Sequence, residues 1–202
     1  MISVSFGIIA VIGIIISYLL GSIPMGLILT RIMGKGDLRK VGSGNIGATN
    51  VMRVGGLRMA GAVWLLDMAK AICAVLIGCA IGGDVFGAWC GFAAVIGHCY
   101  PIWLRFRGGK GISSMFGVML ATSPLSFVIC GIEWLVVALT SGYSSLGAVV
   151  AFCVMPVLGF AISTQMGWPF LAIALVALWR HRENIRRLIT GTESKVEWKW
   201  KK

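Results

Sequence analysis

Hydrophobic residues gather along this chain in long runs separated by short polar stretches. Five runs stand out: Ile2 to Leu29, Leu57 to Gly82, Val85 to Leu104, Leu146 to Ile162 and Trp168 to Trp179. A helix needs about 20 apolar residues to cross a bilayer, so each run reads as a membrane helix. The last is short and requires Arg180 to snorkel to the interface. Only Gly82-Gly83-Asp84 separates the second run from the third, which predicts a turn there. The stretch 111–139 is too long for one straight crossing and too short for two. Pro124 divides it, because proline interrupts the helical hydrogen-bond ladder and its predecessor resists helical geometry. The expected elements are a half-length helix from Gly111 to Thr122, a turn at Ser123-Pro124 and a span from Leu125 to Leu139. Such a half helix rises only about 18 Å, against an apolar core of about 30 Å. It must end inside protein or in a polar cavity, since lipid cannot satisfy its terminal backbone groups.

Composition supports a lipid solvent. The chain has 202 residues, 58% hydrophobic and 12% charged, too few polar side chains to clothe a soluble domain. Its 18 Lys and Arg against 7 Asp and Glu give a formal net charge of +11. Basic residues mark cytoplasmic loops. With seven spans and an outside N-terminus, the inner segments are 31–58, 105–110, 141–145 and the chain from 180 onward. These hold 17 of the 18 basic residues and leave Lys70 within a span. Treating 111–139 as one crossing would divide the loop cations 9 to 8. The prediction is an all-α integral membrane protein of seven transmembrane helices, one of them a half-length broken helix, N-terminus out and C-terminus in. It forms a single membrane-embedded domain over 1–202 with a basic cytoplasmic tail at 189–202. The first run lacks a basic start and a convincing cleavage site, so it reads as a retained helix. Topology and anionic lipid headgroups explain the basic excess, and no nucleic-acid partner is needed. The six cysteines lie in apolar runs without CxxC or His/Cys spacing, so they read as packing residues and no metal site is expected.

Candidate chemistry collects in the inner segments. The first reads Val41-Gly42-Ser43-Gly44-Asn45-Ile46-Gly47-Ala48-Thr49-Asn50-Val51-Met52-Arg53. Its glycines let backbone N–H groups converge on an anion. Ser43, Asn45, Thr49 and Asn50 add neutral donors, and Arg53 adds a charge suited to a bidentate phosphate grip. A flexible polar linker is the plainer alternative. The second, Arg105-Phe106-Arg107-Gly108-Gly109-Lys110-Gly111, opens directly into the half helix, and a helix N-terminus beside glycines and a lysine suits phosphate. It is not a nucleotide-binding P-loop, because Gly111 stands where Ser or Thr should follow the lysine. A positive-inside anchor would also fit. Upstream, His98 reads as a hydrogen-bonded structural group. The third cluster, His181-Arg182-Glu183-Asn184-Ile185-Arg186-Arg187, is expected to continue helically out of the last span, with His181 and Asn184 on one face and Glu183 paired to Arg187. An interfacial anchor helix is its alternative reading. Asp67 and Lys70, one turn apart inside a span, read as a paired buried ion pair that fixes packing. Ser141-Gly142-Tyr143-Ser144-Ser145 supplies hydroxyls. Together these segments point to an anionic, phosphorylated substrate bound at the inner face.

At these residues the chain resembles the bacterial acyl-phosphate:glycerol-3-phosphate acyltransferases. The first motif is Gly42-Ser43-Gly44-Asn45-Ile46-Gly47-Ala48-Thr49-Asn50 with Arg53. The second is Gly97-His98, Pro101 and Phe106-Arg107-Gly108-Gly109-Lys110-Gly111. The third is His181, Glu183-Asn184-Ile185, Arg187-Leu188 and Gly191-Thr192-Glu193. Small departures are Arg107, where lysine is frequent, and Ile112-Ser113-Ser114 in place of Val-Ala-Thr. The resemblance implies a seven-helix enzyme of the bacterial inner membrane, with its site facing the cytoplasm. The enzyme would move a fatty acyl group from acyl phosphate to the 1-hydroxyl of sn-glycerol 3-phosphate, giving lysophosphatidic acid and phosphate in phospholipid synthesis. It implies membrane lipid as the surroundings and no cofactor, and it names no protein partner. Carried over by motif, Ser43, Arg53, Lys110, His181 and Asn184 would be catalytic and surround the acyl phosphate. Gly44, Asn45, Thr49, Asn50, the backbone of Gly108 and Gly109, and Ser144 and Ser145 would bind substrate. No His-x4-Asp acyltransferase pair occurs at either His98 or His181. The expectation is that a substrate phosphate oxygen takes the hydroxyl proton while His181 orients or donates a hydrogen bond. The alternatives are a small transporter of a phosphate-like anion and a non-enzymatic membrane partner of a lipid-synthesis complex. The first predicts polar groups on both membrane faces, and the second leaves the donor-rich loops unexplained.

Overall fold

The computed structural model describes residues 2–196, with side chains from Ser5 onward. Lys199, Lys201 and Lys202 of the expected basic tail lie outside the described residues. Among the described residues every regular element is helical. Four stretches of the described residues are long and apolar enough to cross a membrane: Ser5–Ile32, Ala48–Leu104, Pro124–Ser141 and Ser144–Ile162. The chain divides into two compact units, Met1–Pro124 and Leu125–Lys202.

In the first unit the opening apolar run is not the single helix expected from Ile2 to Leu29. α1 (Ile2–Ser22) stops before Ile23-Pro24, and α2 (Met25–Ile32) restarts after it. The cause is the proline rule already applied at Pro124. Hydroxyls inside these helices donate back to the preceding turn: Ser17 to Gly13, Ser22 to Tyr18 and Thr30 to Gly26, each at 2.8 Å. α3 (Ala48–Cys99) is interrupted by non-helical backbone at Gly56, Gly82 and Gly83. Gly83 takes φ 77°, the left-handed conformation that favours glycine. Beyond it the chain reverses, so that Gly78 faces Cys90 and Gly91 faces Val75. The arms 57–81 and 84–99 are therefore antiparallel, joined at the turn the sequence predicts.

α1 packs on the second arm through small residues. A Cβ added at Gly21 would strike the Ala94 backbone, and one at Gly97 would strike the Tyr18 carbonyl. Such close backbone approach supplies the van der Waals contact that holds helices together where water cannot drive association. The opposite face of α1, with Phe6, Ile9, Ile12 and Ile16, is exposed and suits lipid. α4 (Ile112–Thr122) is the expected half helix, 11 residues long. Every residue from Ser113 to Met119 is buried, with Gly117 against Met68 and Ala71 of the first arm. Protein thus encloses a helix too short to cross a bilayer, as its backbone requires.

The second unit is built from α5 (Pro124–Ser141), α6 (Ser144–Ile162), α7 (Thr164–Arg180) and α8 (Arg182–Ile189). Pro124 opens α5, where its missing N–H has no helical partner to lose. Trp134 Nε1 donates to the Ser144 carbonyl at 3.2 Å, tying α5 to the start of α6. α6 and α7 form an antiparallel pair in which Gly159 faces Phe170 and Gly167 faces Phe160. The helix expected to run unbroken out of the last span is broken instead. His181, at φ −95° and ψ 1°, closes α7, and α8 begins at Arg182.

Candidate functional site

The first candidate segment is organised by Asn50. Its side-chain Nδ2 donates to the carbonyls of Leu38 (3.1 Å), Val41 (3.0 Å) and Asn45 (2.8 Å), and its Oδ1 accepts the Ser43 N–H at 3.1 Å. The residue is 1% exposed. Asn50 is therefore a keystone of the loop, its side chain engaged by backbone groups. Leu38, Val51, Met59, Ala60 and Val63 form an apolar core under the loop. Asp37 receives the Arg39 N–H at 3.0 Å and pairs with Arg39 Nη2 at 2.6 Å, and these hydrogen bonds hold its carboxyl at about pKa 2. Ser43 and Gly44 lie exposed above this base, Gly44 at φ 68°, with Asn45 and Thr49 half-buried beside them. Arg53 is exposed one turn into α3, its stem against Gly42.

The second segment lies at the end of the hairpin opposite Gly83. Gly108 N–H donates to the Cys99 carbonyl at 3.1 Å and Gly109 N–H to the His98 carbonyl at 2.9 Å. These two amides therefore fix the turn. A Cβ at Gly108 would meet Pro101, and one at Gly109 would meet the His98 ring. Both glycines are thus required by close approach rather than by flexibility. Gly111, at φ 91°, caps α4 in the left-handed conformation. Lys110 is half-buried between this cap and the Gly108-Gly109 turn. Beneath it the expected Asp67–Lys70 ion pair is present at 2.8 Å with both side chains 2% exposed. His98 joins them, Nδ1 lying 3.0 Å from Lys70 Nζ.

In the second unit the organising group is Glu193, to which the sequence assigns no role beyond its place in the third motif. Its Oε1 accepts from Ser145 Oγ (2.7 Å) and Asn184 Nδ2 (2.6 Å), and its Oε2 from Arg187 Nε (2.6 Å). Burial works against the charge, but these hydrogen bonds outweigh it and hold the carboxyl below its ordinary range. Arg187 therefore pairs with Glu193 and not with Glu183 as expected. Glu183 lies 4.0 Å from Arg182 at the surface. A carboxylate in so basic a tail was the signal available. His181 is 4% exposed, its ring packs tilted at 55° with its centroid 5.3 Å from that of Phe152, and its Nδ1 lies 2.8 Å from the Ala177 carbonyl. A carbonyl can only accept, so Nδ1 carries a proton. Ser144 is the first residue of α6.

Three helix N-termini carry these residues: α3 after Gly47, α4 after Gly111 and α6 after Tyr143. None has a side-chain cap, whereas Ser163 caps α7 by accepting the Met166 N–H at 3.1 Å. An uncapped N-terminus presents unpaired amides and a partial positive charge, a setting that favours phosphate. Among the described residues no group of three or more His, Cys, Asp or Glu could hold a metal ion.

The family model described as glycerol-3-phosphate acyltransferase matches residues 11–191. A glycerol-3-phosphate acyltransferase of Agrobacterium fabrum is 46% identical over 183 residues, covering 90% of this chain and 89% of the relative. One from Rhizobium etli is 47% identical over 189 residues, covering 93% and 92%. Two crystal structures of PlsY, described as an integral membrane glycerol 3-phosphate acyltransferase, share the fold. The glycerol 3-phosphate form has a TM-score of 0.88 at 36% identity, covering 93% of this chain and 96% of that one. The lysophosphatidic acid form has a TM-score of 0.87 at 34% identity, covering 93% and 95%. With matches of this extent in sequence and in fold, the chain belongs to the glycerol-3-phosphate acyltransferase family.

Proposed function

We propose that this protein transfers a fatty acyl group from acyl phosphate to the 1-hydroxyl of sn-glycerol 3-phosphate, releasing lysophosphatidic acid and inorganic phosphate. One observation carries the reading: its solved relatives were captured in a glycerol 3-phosphate form and a lysophosphatidic acid form. Those molecules differ by a single acyl group on one hydroxyl. Acyl phosphate is the donor this reading favours, because the chain lacks the His-x4-Asp pair and an activated acyl donor needs little base catalysis. The protein sits in the bacterial inner membrane as one domain of seven spans, N-terminus out and C-terminus in, with the site and the basic tail facing the cytoplasm. The distribution of 17 basic residues supports this orientation.

In this mechanism Ser43, Arg53, Lys110 and Asn184, with the uncapped helix N-termini, neutralise charge that builds on the carbonyl oxygen and the departing phosphate. Stabilising that charge is ordinarily the dominant source of rate enhancement in acyl transfer. Gly44, Asn45, Thr49 and Ser144 contribute substrate contacts. Asn50, Gly108, Gly109 and Ser145 hold the site in shape. The Nδ1–H bond to the Ala177 carbonyl anchors the His181 ring. The anchored ring orients the attacking hydroxyl. The hydroxyl oxygen bonds the acyl carbon, the bond from that carbon to the phosphate oxygen breaks, and the proton passes to the leaving phosphate.

The test is phosphate release by purified protein given long-chain acyl phosphate, with and without glycerol 3-phosphate. The lipid product is identified, and acyl-CoA is run in parallel as donor. Release that requires glycerol 3-phosphate and yields lysophosphatidic acid is expected. Activity with acyl-CoA alone would refute the donor. No reaction, together with anion uptake into sealed vesicles, would favour the transporter.

A further inference from the structure

The ion pair within α3 reaches beyond packing. Lys70 Nζ meets Asp67 Oδ1 at 2.8 Å, the Ile23 carbonyl at 2.9 Å and His98 Nδ1 at 3.0 Å. The Ile23 carbonyl belongs to the break before Pro24, where α1 leaves its last carbonyls without helical partners. His98 Nδ1 also lies 3.5 Å from Asp67 Oδ1, and Nε2 lies on the ring's other edge. That edge of the ring faces Gly109. A Cβ there would collide with Nε2 and come within 2.7 Å of Cε1 and 2.8 Å of Cδ2. The His98 carbonyl also accepts the Gly109 N–H at 2.9 Å. One buried histidine thus holds the turn through both its backbone and its ring, and Lys110 is the next residue. The Asp67 carbonyl accepts from Ser114 Oγ at 3.3 Å, within the first turn of α4. The same cluster therefore grips the chain at the residue before Lys110 and again four residues after it. Charge neutralisation accounts for Asp67 and Lys70 in a span, but it does not account for a third member that carries the Gly108-Gly109 turn.

We infer that Asp67, Lys70 and His98 form a positioning triad that sets the place of Lys110 and of the α4 N-terminus, and so governs how tightly substrate phosphoryl oxygens are held there. The inference rests on the phosphoryl role proposed above for Lys110. The triad acts through Lys110 and touches no substrate.

The experiment compares wild type, Lys70→Met, Lys110→Ala and the double variant, purified in detergent. Amide hydrogen exchange is followed alongside steady-state kinetics. Lys70→Met keeps the stem and removes the ammonium. Exchange in the segment 104–112 should accelerate at least tenfold, with the second unit unchanged. Turnover should fall at least tenfold, in the same kinetic constant that Lys110→Ala alters. In the Lys110→Ala background, Lys70→Met should add less than threefold. Unchanged exchange over 104–112, or losses that multiply, would overturn the triad. If Lys70→Met fails to accumulate, Gly109→Ala and His98→Ala decide the matter. Gly109→Ala should accelerate exchange over 104–112 in the wild-type background and have no further effect once His98 is alanine, whereas independent effects would overturn the proposal. A wild type that shows the exchange response but transfers no acyl group would refute the proposed reaction and leave the triad standing.

Discussion

Replacing Asn50 with alanine isolates the loop that carries Ser43 and Gly44. The substitution removes the partner of three carbonyls and one N–H at once. Val41 is 45% exposed, so water can take over its carbonyl, but the Leu38 carbonyl belongs to a residue only 1% exposed. At about 0.5 kcal/mol for each of the three bonds that water can replace and about 1.5 kcal/mol for the buried Leu38 carbonyl, the four sum to about 3 kcal/mol against the ordered loop. At about 1.4 kcal/mol per tenfold, the ratio of ordered to open loop falls roughly 100-fold. Opening of this kind is local, so the arms of α3 should stay intact. Hydrogen exchange of the segment 38–50 should therefore lose about 100-fold of its protection while 84–99 keeps its own. Glycerol 3-phosphate-dependent phosphate release should fall at least tenfold. Asn50→Asp should be worse than alanine, because a carboxylate would face three carbonyls with no donor to offer. Wild-type protection and turnover in Asn50→Ala, or a milder effect for aspartate, would refute the keystone role.

Other variants probe the remaining parts. Lys110→Ala should lower turnover by about 100-fold or more, the scale of losing one transition-state charge partner, while the folded yield in membranes stays unchanged; wild-type rates would sink the phosphate-grip assignment. Glu193→Gln should loosen Ser145, Asn184 and Arg187 together. Because the folded carboxyl is held below its ordinary 4.5, its contribution is complete above that value and lost as pH falls through the folded pKa. The thermal midpoint of wild type should drop on acidification through that window, and the drop should shrink in Glu193→Gln. Gly111→Ala should cost about 1–2 kcal/mol of local stability, the usual penalty for a side chain in the left-handed region, visible as faster exchange at the start of α4.

Element boundaries followed from apolar run length and proline rules, and where one expectation failed the rule itself was sound. Pro24 breaks the first run as Pro124 breaks the later one, but length alone had suggested an uninterrupted crossing. The Gly82-Gly83 turn and the Asp67–Lys70 pair were legible because both are local, a few residues apart. What the sequence concealed is contact across long separations. Asn50 reaches back 12 residues to Leu38, Lys70 meets His98 28 residues on, and Ser145 meets Glu193 at a separation of 48. Composition correctly marked those loops as rich in donors. It could not show which donors also tie down their own loop, as Asn50 and the Gly108 and Gly109 amides do. Glycine showed the same ambiguity: Gly109 is demanded by an imidazole packed on its Cα, and nothing adjacent in sequence announces that.

The seam between α1 and the 84–99 arm carries a consequence for biogenesis. Because Gly21 and Gly97 bring main chain against main chain, no side chain can serve as a provisional spacer while the partner is missing. α1 is made first, yet the surface it must dock onto leaves the ribosome only after the whole intervening loop and arm. The nascent segment must therefore wait in the bilayer as a solitary helix with its glycine stripe bare. Quality control that senses unassembled helices would read that stripe, so seam substitutions should show up first as degraded protein rather than as slow enzyme.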